Sequence, residues 1–421
     1  MGNPRRVVVT GMGIVSPIGL DEETVWSNLL NGRTGIGPIT LFDASENKVQ
    51  IGGEVDSKPL DDRQTGKLRR ADRAVRFAIE ASRQALETSG LIGESPLEEQ
   101  DTSVIWGSGG GPSHTIWATN ERLAQKGPRG LRPSSVPNVM VNSVSAGISI
   151  HFRLTGSNQT IVSACTSATN AIGQAYRMVS NGHADSVLCG GVDACFDPFY
   201  YGIWNNLGVL STIPEPERAV RPFDADRAGT LLGEGAGALL VETLENAESR
   251  GATIRGEITG YGESSDAVNI TAPSVPGQVK AIRNALASAK ASPEEIGFIN
   301  AHGTATVAND ITESQSIREA LGSAADSIPV GANKSFFGHT LGASGALESV
   351  VTVLGLERGV VPPNLNLDNP DPECHVRLVG SEPMELAAEL AMNNSFGFGG
   401  GNGVLILRRF HELLGGEGDM Q

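Results

Sequence analysis

Short apolar runs alternate with amphipathic stretches of helix length along almost the whole chain, and that alternation is what most restricts its fold. Residues 6–10, 103–107, 186–192 and 236–242 read as buried strands, and 72–89 and 166–179 carry apolar residues at helical spacing. The theme repeats with strands at 254–261, 297–301, 328–331, 390–395 and 404–408 and helices at 277–289, 311–321 and 341–358. Strands that alternate with helices predict an α/β architecture, with helices covering both faces of the sheets. Neither a low-complexity linker nor a short repeat interrupts the middle. The reading is therefore one unit of two similar halves, 1–250 and 251–411, divided near residues 249–253. The Gly-rich, acidic stretch 412–421 is expected to be a disordered tail.

Charge and cysteine use narrow the function. A formal net charge of −16 argues against nucleic acid as a partner. Basic residues nevertheless concentrate between 63 and 76, where Lys67, Arg69 and Arg70 could dock an acidic macromolecule; a solvated helix face is the plainer alternative. No apolar run approaches the ~18 residues of a membrane span. The chain enters its first apolar run, Val7-Val8-Val9, without a leader pattern. Its four cysteines, Cys165, Cys189, Cys195 and Cys374, lack metal-ligand spacing, so neither a metal site nor a disulfide framework is expected. These features predict a cytoplasmic protein.

Four segments carry candidate chemistry. In Thr160-Ile161-Val162-Ser163-Ala164-Cys165-Thr166-Ser167, an apolar strand ends in small residues and a cysteine opens a helix. Helix N-terminal amides favour a thiolate, so a lowered thiol pKa is expected there. The other three cysteines lack this context and read as structural. Ala301-His302-Gly303-Thr304-Ala305-Thr306 sends a histidine from a strand end into a loop. In Lys334-Ser335-Phe336-Phe337-Gly338-His339, a lysine and a histidine flank two aromatics before a helix of small residues. Phe396-Gly397-Phe398-Gly399-Gly400-Gly401 places an aromatic on a permissive backbone, suited to a gate, with free amides beside it. Each segment alone also fits ordinary packing or a turn.

Taken in order, Cys…His-Gly-Thr…Lys-Ser…Gly-His…Gly-Phe-Gly-Gly resembles the β-ketoacyl–acyl-carrier-protein synthases of the thiolase superfamily, from Val9-Thr10-Gly11-Met12-Gly13 onward. Arg221-Pro222-Phe223-Asp224-Ala225-Asp226-Arg227 and Gly233-Glu234-Gly235-Ala236-Gly237 belong to the same pattern. The resemblance implies a thiolase-like fold in five layers, αβαβα, and an elongating type II acyltransferase. By it, Cys165 carries the acyl group, with the amides of Cys165 and Phe398 as oxyanion hole. His302 and His339 hold the malonyl thioester, and Lys334 with Glu348 supports them. Thr304 and Thr306 would meet the phosphopantetheine arm of an acyl carrier protein, with Gly110, Gly399 and Gly400 bordering the substrate. No further cofactor is implied. The partner subunit would be an identical chain or a homologous chain-length factor; the nucleophile argues against this chain itself being that scaffold.

The pattern departs from fatty-acid members at four places. Gly110 stands where a bulky aliphatic residue is common, and its missing side chain is expected to open the acyl pocket. Gly401 replaces a Thr and Ala228 an acidic residue, and Leu207-Gly208-Val209 lacks a basic one. These departures keep a type II polyketide or polyene ketosynthase open beside fatty-acid elongation.

Overall fold

Two runs of five strands, each folded in the same order, build the centre of the protein. The computed structural model describes residues 4–64, 68–93 and 98–411. The tail expected at 412–421 lies outside the described residues, as does Lys67. The first run comprises β1 (Val7–Val15), β2 (Ser103–Gly107), β3 (Asn158–Ile161), β4 (Ser186–Asp193) and β5 (Gly235–Thr243). The second comprises β6 (Gly256–Ser265), β7 (Ile296–Asn300), β8 (Pro329–Gly331), β9 (Leu390–Gly397) and β10 (Gly401–Arg408). Their spatial orders, β3-β2-β4-β5-β1 and β8-β7-β9-β10-β6, are the same pattern five strands apart. In each, three parallel strands are followed by two antiparallel ones. Val7–Val9 of β1 also pair with Gly256–Ile258 of β6, which joins the two runs into one continuous ladder.

Helices separate the layers. Outside the first run lie α1 (Arg73–Thr88) and α2 (Ser143–Phe152); α3 (Ser167–Ser180) covers its inner face. Outside the second lie α4 (Val275–Ala289) and α5 (Val307–Leu321), and α6 (Ser344–Arg358) covers the inside. The strands alternate accordingly. On β5, Leu239 and Val241 face the central helices whereas Ala238 and Leu240 face α1; on β10, Leu405 and Leu407 point in, Val404 and Ile406 out. The result is the αβαβα order of a thiolase-like fold.

The central pair α3 and α6 decides where chemistry can sit. Ser344 to Leu356 of α6 are all buried, so this helix has no solvent face. Small residues let it approach α3: a Cβ on Gly345 would overlap the Thr169 hydroxyl. The N-terminal ends of both helices therefore converge, each preceded by a loop carrying a predicted site residue, Cys165 and His339 respectively.

Candidate active site

The nucleophile candidate sits on a tight turn. β3 stops at Ile161, a single 3-10 turn spans Ala164–Thr166, and α3 starts at Ser167. Ala164 has φ +53°, a left-handed conformation unusual for a residue with a side chain and a mark of stored strain. Local hydroxyls satisfy the turn: Thr166 Oγ1 donates to the Ser163 carbonyl at 2.7 Å, and Ser167 Oγ to that of Ala164 at 2.7 Å.

Cys165 Sγ lies 3.1 Å from His339 Nε2, and His339 Nδ1 lies 3.0 Å from Ser344 Oγ. The rings of His302 and His339 meet edge to face with centroids 5.3 Å apart. Lys334 Nζ stands 3.3 Å from His302 Nδ1 and 2.6 Å from Glu348 Oε1. An ammonium can only donate, so it leaves the His302 proton on Nε2. Burial, reinforced by the Lys334 charge, drives both imidazoles well below their ordinary pKa. Both rings are neutral at pH 7. Burial raises the Glu348 carboxyl to about 7 against the pull of Lys334.

The thiol departs from the expectation of a lowered pKa. Complete burial pushes it up to about 11, although the Lys334 charge and the Phe398 and Cys165 amides pull the other way. The cysteine sits within the 3-10 turn that precedes α3 rather than on the helix itself, and desolvation outweighs the helix terminus. Those same two amides nevertheless face the sulfur, where an acyl carbonyl would project its oxygen. Gly399 and Gly400 take φ +83° and +74°, which lets Phe398 reverse beside the thiol. The Phe398 ring stacks on Trp204 with planes 10° apart and centroids separated by 5.7 Å.

These groups open onto one cavity of about 410 Å³, lined among others by Cys165, His302, His339, Thr304, Thr306 and Phe398. Thr304 and Thr306 pair through their hydroxyls at 2.9 Å, and Thr306 also caps α5. Gly110 is not on the cavity wall, and the room expected there is already taken. A Cβ on Gly110 would overlap Cys195 Sγ and come within 3.4 Å of the Tyr200 ring. Arg70 is exposed and ends a short 3-10 turn that includes Arg69. Arg73, in the same basic stretch, is instead turned inward onto Glu234, 2.5 Å away.

Two carboxylates were missed. Glu313 of α5 accepts from the His302 and Gly303 amides, both at 2.8 Å, and so fixes the loop that carries His302. A signal existed: Asp310, Glu313, Ile317 and Leu321 share one helix face, which puts two acids on an apolar stripe. Asp193 at the end of β4 accepts from Ser108 Oγ and from the Gly109, Gly110 and Gly342 amides at 2.6–2.9 Å. It ties the turn before α6 to the loop after β2, and no pattern in the sequence marks it.

A cysteine and two neutral histidines at the junction of two like α/β halves define a condensing enzyme of the thiolase-like class. The chain belongs to the β-ketoacyl synthase family, whose N-terminal domain matches residues 4–247 and whose C-terminal domain matches 255–368. It is 42% identical over 413 residues to the 3-oxoacyl-[acyl-carrier-protein] synthase 2 of Synechocystis, covering 96% of this chain and 98% of that protein. The enzyme of the same name from Coxiella burnetii is 42% identical over 410 residues, covering 96% and 99%. Among solved structures, the ishigamide ketosynthase/chain length factor superposes with a TM-score of 0.90 at 35% identity, covering 97% of this chain and all of that one. A β-ketoacyl synthase from Burkholderia phymatum gives 0.91 at 33% identity with the same coverage. An acyl-carrier protein in complex with its type II polyketide ketosynthase gives 0.89 at 28% identity, again covering 97% and 100%.

Proposed function

We propose that this enzyme condenses malonyl–acyl carrier protein with an acyl group held on Cys165, releasing a β-ketoacyl–acyl carrier protein in fatty-acid elongation. The observation that carries the reading is the 3.1 Å contact between Cys165 Sγ and His339 Nε2 on a cavity that His302 shares. In the first half-reaction the sulfur attacks an acyl thioester and the carrier thiol leaves with the proton. The Cys165 and Phe398 amides stabilise the tetrahedral oxyanion. Malonyl thioester then binds against Thr304 and Thr306, its carbonyl oxygen facing Nε2 of both histidines. Loss of carbon dioxide leaves an enolate on that oxygen, and its carbon attacks the acyl–Cys165 carbonyl. Collapse expels the Cys165 sulfur, which regains a proton, and the β-ketoacyl thioester departs. Lys334 and Glu348 hold His302 in its donating tautomer.

The protein is read as a cytoplasmic enzyme needing no cofactor beyond the carrier's phosphopantetheine, with halves 1–250 and 251–411. Among the described residues, no helix is long and apolar enough to cross a membrane. Lys67, Arg69 and Arg70 are the proposed carrier contact. A second, homologous or identical subunit is supported by exposed Val136, Met140, Val141 and Ile150, beside the edge strand β3. The polyketide alternative is supported by the likeness to the type II polyketide ketosynthase, TM-score 0.89 at 28% identity. Purified enzyme given acyl- and malonyl-carrier substrates should release one carbon dioxide per β-ketoacyl product. Decarboxylation with no lengthened product would overturn the proposal.

A further inference from the structure

Helix Pro198–Leu207 carries two aromatic rings, Tyr200 and Trp204, beside the loops that frame the site. Trp204 lines the Cys165 cavity and stacks on Phe398. Tyr200 lies one turn earlier on the same helix face. Its ring occupies the space that the missing side chain of Gly110 leaves, in company with Cys195. Tyr200 is partly buried, and burial raises its phenol. The next residue, Tyr201, points elsewhere and donates its hydroxyl to the Ile51 carbonyl at 2.9 Å.

A condensation needs two chains at one sulfur. If the incoming malonyl arm lies along Thr304 and Thr306, the acyl chain on Cys165 must run the other way, behind Phe398. The glycines around Phe398 let that ring swing; Trp204 is stacked on it, and Tyr200, one turn earlier on the same helix and just outside the cavity lining, packs against Gly110.

We propose that Tyr200 and Trp204 form the wall that sets acyl length, with Tyr200 as the stop, so that Cys165 of this enzyme takes short acyl groups. The inference rests on the condensing function proposed above. It also explains why a glycine at position 110 does not enlarge the pocket: the volume is supplied from the facing helix.

The test is intact mass of the wild type, Tyr200→Ala, Tyr200→Phe and Trp204→Phe after incubation with acyl carrier thioesters of increasing length. Each methylene a hydrophobic pocket accepts or refuses changes discrimination on the order of 10- to 200-fold. Tyr200→Ala should therefore raise the ratio of long-chain to short-chain loading at least ~10-fold. Tyr200→Phe, which keeps the ring, should keep the wild-type ceiling. Trp204→Phe thins the wall while preserving a stack, and should raise the ceiling even if Tyr200→Ala fails to fold. An unchanged ceiling in folded Tyr200→Ala and Trp204→Phe proteins overturns the proposal, as does an equal fall at all lengths. A wild type that loads no acyl group defeats the condensing reading, and this one with it.

Discussion

Lys334 Nζ lies 3.3 Å from Nδ1 of His302 and also donates to the His302 carbonyl, and these contacts tie the ion pair with Glu348 of α6 to the histidine after β7. The ammonium is fully buried, and among the described residues Glu348 is its only carboxylate partner at hydrogen-bond distance, 2.6 Å away. Lys334→Ala leaves that acid buried without its partner, and losing one member of a buried pair costs about 3–5 kcal/mol. Unfolding in denaturant should show a loss of that size. Replacing both with apolar residues, as Lys334→Met with Glu348→Leu, should recover most of the stability but not the condensing rate. A double variant as unstable as the single one would contradict the account.

The two histidines should act on one half-reaction. Removing a single donor to a developing oxyanion lowers a rate on the order of 100- to 1000-fold. His302→Ala and His339→Ala are expected to lose malonyl decarboxylation by about that factor while acyl transfer to Cys165 falls far less. Carbon dioxide release and acyl loading, followed separately, check it. Normal decarboxylation with failed loading would reverse the assigned roles.

Burial gives the thiol an unusual pH profile. With its pKa pushed up to about 11, the thiolate fraction of Cys165 keeps rising tenfold per pH unit through pH 8–10. An ordinary thiol, with pKa about 8.5, levels off above about pH 9. Iodoacetamide alkylation, followed by peptide mapping, should still be accelerating at pH 10 and should mark Cys165 ahead of Cys189, Cys195 and Cys374. Lys334→Met removes the charge that pulls the pKa down, so its profile should shift upward. A plateau below pH 9 would contradict the desolvation argument.

Charge reversal at Arg69 and Arg70 should raise KM for carrier-bound substrate and flatten its dependence on salt, since the Debye length is only about 10 Å at 0.1 M. A small thioester mimic should be used nearly as before. Equal losses on both substrates would make the basic stretch structural.

Strands and helices were legible because burial on alternate faces writes itself into the sequence. Ser103–Gly107 was read to the residue, and Asp72 and Ser89, read as the ends of α1, are its caps. Cys165, His302, Lys334, His339 and Phe398 were legible as motifs, and the fold gathers them. Three things were not. The thiol's pKa depends on how completely α3, α6 and β9 enclose it, which no local pattern encodes. Asp193 acts mainly through backbone amides of glycines far away in the chain, with Ser108 its one side-chain donor among the described residues, so its partners leave little in the sequence to notice. Gly110 looked like an opening because its local sequence says nothing about Tyr200, which reaches the same space from ninety positions on.

The central claim is that Cys165 carries the acyl group, and intact mass tests it most directly. Wild-type protein incubated with a short acyl–acyl carrier protein, without malonyl substrate, should gain the mass of one acyl group. Peptide mapping should place it on Cys165. Cys165→Ala should keep its fold and gain nothing. An acyl group found on Cys189, Cys195 or Cys374, or an equal gain by Cys165→Ala, would contradict the account.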